Sequence, residues 1–176
     1  NTPVIVDNKP GAFETIAAQT VMSAPPDGHT LWLGTAGALT LGPGVRPNMP
    51  YDVLKGFTHV AKIAEVEAFL CVANNVPANS LGELLTYAKA NPGKLFYTSG
   101  GIGSGSHLLM EYLMNVTGTA FVHVPYKSDA EVSQQLAAGN VQMAFVTSLA
   151  AVPFINDRRF KAIAVTGSQR MKVLPN

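Results

Sequence analysis

An α/β fold with mostly parallel sheets is what this 176-residue sequence predicts. Two observations predict it. Apolar runs of strand and helix character alternate along the chain, and the links between them are mostly short. The hydrophobic share of 47% supplies a core for one ordinary domain or two small lobes.

The first apolar run, Val4-Ile5-Val6, reads as a strand, and Asn8-Lys9-Pro10-Gly11 turns the chain. Phe13, Ile16, Ala17, Thr20, Val21 and Ala24 fall at helical spacing, which predicts a helix over 12–24. Pro25-Pro26-Asp27-Gly28 ends it. Thr30 to Leu33 reads as a buried strand leading into Gly34-Thr35-Ala36-Gly37-Ala38. A long connection through Pro43, Pro47 and Pro50 follows, of the length seen in surface or functional loops. Strand-like runs lie at 59–63 and 68–73.

Ser80 and Glu83 have the capping-box spacing, in which each side chain satisfies an orphan amide. Leu81, Leu84, Leu85 and Ala88 form the inward stripe of that helix, and Asn91-Pro92-Gly93 stops it. A strand at 95–98 leads into the glycine-rich run Ser99-Gly100-Gly101-Ile102-Gly103-Ser104-Gly105-Ser106, which opens a helix carrying Leu108, Leu109, Tyr112, Leu113 and Val116. A strand at 120–124 and the turn Pro125-Tyr126-Lys127 come next. Ser128 and Glu131 repeat the box before a helix to Ala138, with Gly139 as its stop. A strand at 141–146, a short helix at 148–155 and a strand at 160–165 complete the pattern.

Only 13% of residues are charged, and the formal net charge is +1, so no basic face marks a nucleic-acid binder. No apolar stretch approaches the roughly 18 residues of a membrane span. One cysteine, Cys71, excludes an internal disulfide, and its apolar strand predicts an inert buried thiol. The chain has no initiator Met or signal-type segment; it opens on the strand-like Thr2-Pro3-Val4 and closes within Leu174-Pro175-Asn176. Both ends are expected to be parts of something longer.

The loop 99–106 is the strongest site signal. Glycine permits close approach of backbone to a ligand, and serines add hydroxyl donors. A helix N-terminus presents unpaired amides and a favourable dipole to an anion. A plain flexible connection is the other reading of these residues. The phosphate-loop ending Gly-Lys-Ser/Thr is absent. The dinucleotide pattern fails because Ser106 stands where its last glycine belongs. A carboxylate or similar small anion survives elimination. Thr35, Ala36 and Gly37 form a second post-strand loop, suited to a ligand or to a plain turn. Ser99, Gly101, Gly103, Ser104 and His107 are the candidates in the first loop. Tyr126, with Lys127, and Thr147, with Ser148, follow strands expected to end on the same edge. A histidine placed like His107 is more often packed or capping, and a lysine like Lys127 is usually a solvated surface group, while Thr147 and Ser148 equally suit an N-cap.

Catalytic motifs are sparse. There is no Gly-x-Ser-x-Gly, no His-Glu-x-x-His and no Cys-x-x-Cys. His29, His59, His107 and His123 lack metal-ligand spacing, and no catalytic residue, metal or cofactor is expected. Glu65 and Glu67 read as surface charges. A hydrolytic enzyme using Ser104 and His107 is the reading from another class, and it lacks an orienting carboxylate.

An ordered series of short motifs carries a family resemblance. It comprises Asn8-Lys9-Pro10-Gly11-Ala12, Pro26-Asp27-Gly28-His29-Thr30-Leu31, Gly34-Thr35-Ala36-Gly37, Pro50-Tyr51-Asp52, Asn91-Pro92-Gly93-Lys94-Leu95, Ser106-His107-Leu108, His123-Val124-Pro125-Tyr126-Lys127 and Ala162-Ile163-Ala164-Val165-Thr166. In this order, over essentially the whole chain, they resemble the Bug family, the TctC-type receptors of tripartite tricarboxylate transporters. The resemblance implies a periplasmic solute-binding protein with the two-lobed type II periplasmic-binding-protein fold. Such proteins close on a carboxylate-bearing ligand and pass it to membrane subunits, without inserting in the membrane or binding nucleic acid. By this mapping 1–67 is a partial first lobe, 68–161 the second, and 162–176 a return to the first. Family members extend at both ends with first-lobe segments. The same fold also serves ligand sensing for a signalling partner, the alternative role.

The chain departs from the family pattern at several points. Phe13-Glu14 stands where the family usually continues with Gly-Gly after Pro-Gly-Ala. Ser128 replaces a glycine, Ser104-Gly105 replaces a Thr-Ser, and Val146 replaces a frequent Asp. Loss of that acid argues against amino-acid ligands, whose ammonium lacks a partner, and for plain dicarboxylates or less polar acids.

Overall fold

A computed structural model describes residues 3–9, 11, 14–46, 48–172 and 174. The readings at Thr2, Pro10, Ala12, Phe13, Pro47, Pro175 and Asn176 lie outside them. The fold divides into two units, Asn1–Lys62 and Ile63–Asn176.

In the first unit, helix α1 runs Thr15–Met22, shorter than the expected 12–24. The long connection is not irregular throughout: a π-helical turn, Gly37–Leu41, passes into the short α2, Gly42–Val45. Trp32, Tyr51 and Phe57 pack their rings with centroids 5.0–5.7 Å apart. The Tyr51 hydroxyl donates to the Ala38 carbonyl at 3.4 Å, joining this aromatic cluster to the helical turn.

The strands expected at 4–6, 30–33 and 59–63 do not form. Among the described residues those segments enter no β-ladder, and Ile5, Leu33 and Val60 are exposed by 90%, 75% and 80%. Apolar alternation marks a segment able to enter a sheet. A strand exists only when a neighbour completes its hydrogen-bond ladder.

The second unit is built on five strands. They are β1 (Ala68–Ala73), β2 (Phe96–Ser99), β3 (Val122–Pro125), β4 (Met143–Thr147) and β5 (Phe160–Val165), in the order β3-β2-β4-β1-β5. Helices α3 (Leu81–Ala90), α4 (Gly105–Thr117), α5 (Asp129–Ala137) and α6 (Ser148–Asn156) fill the intervals. Leu70, Leu84, Tyr97, Met110, Leu136, Met143 and Phe160 are wholly or nearly wholly buried in one core.

The expectation of a mostly parallel sheet needs correction. β2 pairs parallel with β3 and β4, but β1 runs antiparallel to both β4 and β5. The crossovers β2-α4-β3, β3-α5-β4 and β4-α6-β5 keep their strands parallel, whereas β1-α3-β2 joins strands of opposite direction. β1 is inserted between β4 and β5 against their direction, which no periodicity records.

Three serines set the starts of α3, α4 and α5. Ser80, Ser104 and Ser128 accept hydrogen bonds from the amides of Glu83, His107 and Glu131. Glu83 and Glu131 reach back past the caps to the amides of Asn79 (2.7 Å) and Lys127 (3.2 Å). Both expected boxes therefore form, each closing one residue earlier than the usual partner. Gly118 and Gly139 take the left-handed conformation past the ends of α4 and α5.

Candidate functional site

Parallel pairing puts the carboxyl ends of β2, β3 and β4 on one sheet edge. The loop after Ser99, the turn Tyr126–Ser128 and Thr147 all begin there. This is the edge where open α/β sheets bind ligands. Ser99 and Pro125 are in register, and the Tyr126 amide donates to the Ser99 carbonyl at 2.9 Å. The first loop and the Tyr126 turn are thus joined directly. Thr35, Ala36 and Gly37 belong to the first unit.

Most amides of the 99–107 loop are taken up within it. Gly100 donates to Ser106 Oγ, Gly101 to Ser99 Oγ, Gly103 to His107 Nδ1, Ser104 to the Gly101 carbonyl and His107 to Ser104 Oγ. Among the described residues, the amides of Ile102, Gly105 and Ser106 have no hydrogen-bond partner. Gly105 and Ser106 are the first two residues of α4, whose amides have no acceptor inside a helix. The donors free to meet an anion are therefore not those of Gly101 and Gly103. Those glycines shape the loop instead, at φ 118° and 83°.

Behind the loop lies a polar cluster that sequence reasoning missed. Ser99 Oγ is 2.7 Å from His123 Nε2. The His123 ring stacks on Tyr97 at 4.6 Å and tilts against His107 at 4.5 Å. Tyr97 donates its hydroxyl to Glu111 at 2.6 Å, and His107 Nε2 lies 3.7 Å from the same carboxylate oxygen. His107 receives the Gly103 amide on Nδ1, so its neutral ring carries the proton on Nε2, toward Glu111. His107 thus braces the loop from within. Two signals existed in the sequence: His107 and Glu111 are four apart on one helix face, and Tyr97 and Ser99 alternate along one strand.

Burial, helped by the bond and charge of Glu111, pushes the Tyr97 hydroxyl well above its usual range, so it stays a donor. His123 is held below the ordinary imidazole range, first by burial and then by His107, with Glu111 opposing. A depressed histidine is protonated more readily unfolded than folded. Its contribution is whole above the ordinary value of 6.5 and is lost as pH falls through the folded value. The urea midpoint is expected to fall between about pH 7 and pH 5, and His123→Gln to flatten that slope. An unchanged slope in the variant places the titration elsewhere.

The Ser104 and His107 pair of the competing enzyme reading does not assemble. Ser104 Oγ meets the backbone amide of His107, while the His107 ring turns to Gly103. The serine that does meet a histidine ring is Ser99, which is fully buried. Cys71 is buried, and its thiol is raised far above its usual range by that burial. Among the described residues no group of three or more His, Cys, Asp or Glu is placed to hold a metal.

An acidic side chain does stand on the edge, from an unexpected position. Asp129 begins α5, and its Oδ1 approaches Gly100 so closely that a side chain there would sit 3.3 Å away. Although the residue is exposed as a whole, its carboxyl end is tucked in and raised by burial, with a hydrogen bond from Thr147 opposing.

In the first unit, Thr35 directs both amide and hydroxyl to the Glu14 carboxylate, at 3.1 and 2.5 Å. Two shallow hollows in the second unit, of about 640 and 350 Å³, are lined without any candidate residue. The loop presents its donors on an open edge rather than in either hollow.

Sheet, loops and helices define an α/β protein of the periplasmic-binding-protein kind. A profile of the TctC family, the tripartite tricarboxylate transporter family receptor, matches residues 1–176, and the chain belongs to that family. It is 38% identical to a UPF0065 protein of Bordetella pertussis over 174 residues, 99% of this chain and 54% of that protein. The structure of R. palustris Rpa4515 with adipate matches with a TM-score of 0.87 at 34% identity, covering 94% of this chain and 56% of that one. MatC from Rhodopseudomonas palustris with bound malate matches with a TM-score of 0.81 at 30% identity, again over 94% and 56%. The chain thus spans about half the length of the relatives it matches. Among the described residues no helix is long and apolar enough to cross a membrane.

Proposed function

We propose that the protein is a periplasmic solute-binding receptor. It captures a small carboxylate-bearing organic anion and delivers it to the membrane subunits of a tripartite transporter, without catalysing a reaction. The observation that carries this reading is the family match over residues 1–176. Similar structures holding adipate and malate support the ligand class. The open amides of Gly105 and Ser106 supply a place for one carboxylate, as helix N-termini do. Ser104, Ser106, Tyr126 and Thr147 flank it, with Ser99, Gly101, Gly103 and His107 holding the loop in shape. Thr35, Ala36 and Gly37 form the contribution of the first lobe. Division of the fold after Lys62 supports two lobes, assigned as 1–67 and 68–161 with 162–176 leading back.

The test is a thermal-shift and calorimetric screen of the full chain against adipate, malate, keto acids, aromatic acids and simple monocarboxylates. Ligand at 100 times its Kd stabilises the folded state by about 2.7 kcal/mol, so a true ligand is readily seen. If no acid raises the midpoint or gives a saturable heat, the receptor reading fails.

A further inference from the structure

One hydrogen bond of the 99–107 loop ends on an atom that can change from acceptor to donor. His107 Nδ1 accepts the Gly103 amide at 3.3 Å. Only an unprotonated Nδ1 can do so, since both nitrogens of a charged imidazole donate. Protonation at Nδ1 therefore sets two donors head-on, and the Gly103 amide must turn away. Gly103 lies at φ 83°, in a region of backbone space that glycine crosses freely. The Ile102 amide beside it has no partner among the described residues, and Ile102 is 75% exposed. The charged ring thus leaves Nδ1–H and two successive amides without acceptors on one short stretch. Successive amides of this kind suit an anion.

The groups around the ring allow that change. Glu111, on the same helix, lies 3.7 Å from Nε2 and favours the charged form. Tyr97 on β2 draws on the same carboxylate oxygen through its hydroxyl. His123 on β3, at 4.5 Å, opposes a second positive charge. β4, also packed on α4, carries no titratable side chain. Asp129 of α5 reaches the same loop at Gly100. The charged ring has Glu111 on its Nε2 side and lacks an acceptor only at Nδ1, where an anion would supply one.

We propose that the protein binds its organic anion together with one proton: His107 takes the proton from solvent at Nδ1, releases the Gly103 amide, and donates with it to the ligand carboxylate. This rests on the receptor reading and adds a co-ligand to it. By linkage, the anion strengthens the hold on the proton as much as the proton strengthens the hold on the anion.

Calorimetry of the full chain with malate and with adipate tests this, at about pH 8 and about pH 6.5, across which histidine changes charge. Both acids stay largely ionised there, because carboxylates titrate near about pH 4. Two buffers of different ionisation heat give the proton count. An acid that binds is expected to bind about threefold or more tighter at the lower pH, with about half a proton or more taken up per acid. His107→Asn keeps an acceptor near the place of Nδ1 but cannot be protonated. It is expected to abolish the uptake and the pH dependence, whereas His123→Gln keeps both. Binding without proton uptake, uptake that survives in His107→Asn, or uptake lost in His123→Gln alone overturns the proposal and leaves the receptor reading standing. Failure of every acid to bind at either pH overturns both.

A second measurement needs no variant. The Gly103 amide and the His107 ring nitrogens of the wild type are followed by NMR as the pH falls. The amide is expected to move with the same midpoint as Nδ1, and added malate or adipate to raise that midpoint. A Gly103 amide that stays in place while Nδ1 takes its proton, or a midpoint that a bound acid leaves unchanged, overturns the proposal.

Discussion

Replacing Gly105 by proline is expected to weaken carboxylate binding about tenfold or more while leaving the fold intact. The substitution deletes one main-chain donor and little else. Gly105 is the first residue of α4, the helical position proline favours, because its amide has no acceptor within the helix. Ser104 before it already sits at φ −64° and ψ 160°, the extended conformation a following proline demands. A side chain at position 105 enters open space. A hydrogen bond to a charged group contributes about 1.5–3 kcal/mol, which sets the expected loss. Stability should hold or rise by a few tenths to about 1 kcal/mol, since proline narrows the unfolded ensemble. Gly105→Ala, which keeps the amide, is the control and should bind as wild type does. Calorimetry of the two variants beside their urea unfolding curves decides the matter. Undiminished affinity in the proline variant removes the α4 N-terminus from the ligand site.

Phe160→Ala is expected to cost about 3–5 kcal/mol, a large part of the stability of a domain this size. Phe160 opens β5, pairs with Ala73 on β1 and is 1% exposed. Its ring stacks on Phe154 of α6 at 5.4 Å, tying that helix to the sheet. Truncation leaves a cavity between strand and helix that relaxes only partly. The urea midpoint of the full chain reads the loss. A change below about 1 kcal/mol means that β5 is not docked on β1 in solution.

The legible parts of this fold were those governed by near neighbours in sequence. β1 and β5 appear where their apolar runs stand, at Ala68–Ala73 and Phe160–Val165. α3 and α5 begin at their capping serines, because a cap is satisfied within three residues. The first unit was far less legible. Val4, Leu31 and Val60 carry the side chains of strands, yet their segments have no ladder partner among the described residues. The direction of β1 was equally hidden, since residues alternate in the same way whichever way a strand runs.

Local chemistry by itself determined the glycine-rich loop and its place between a strand and a helix. The ordered motifs also pointed to the family. Only the tertiary structure decided which amides remain open, because five of them find partners inside the loop. It alone brought His123 against Ser99, Asp129 against Gly100 and Glu14 against Thr35. Each of these contacts joins separate segments of the chain. Spacing along a sequence records the neighbours that one helix or strand supplies, whereas a hydrogen bond across segments depends on where the whole fold places each end.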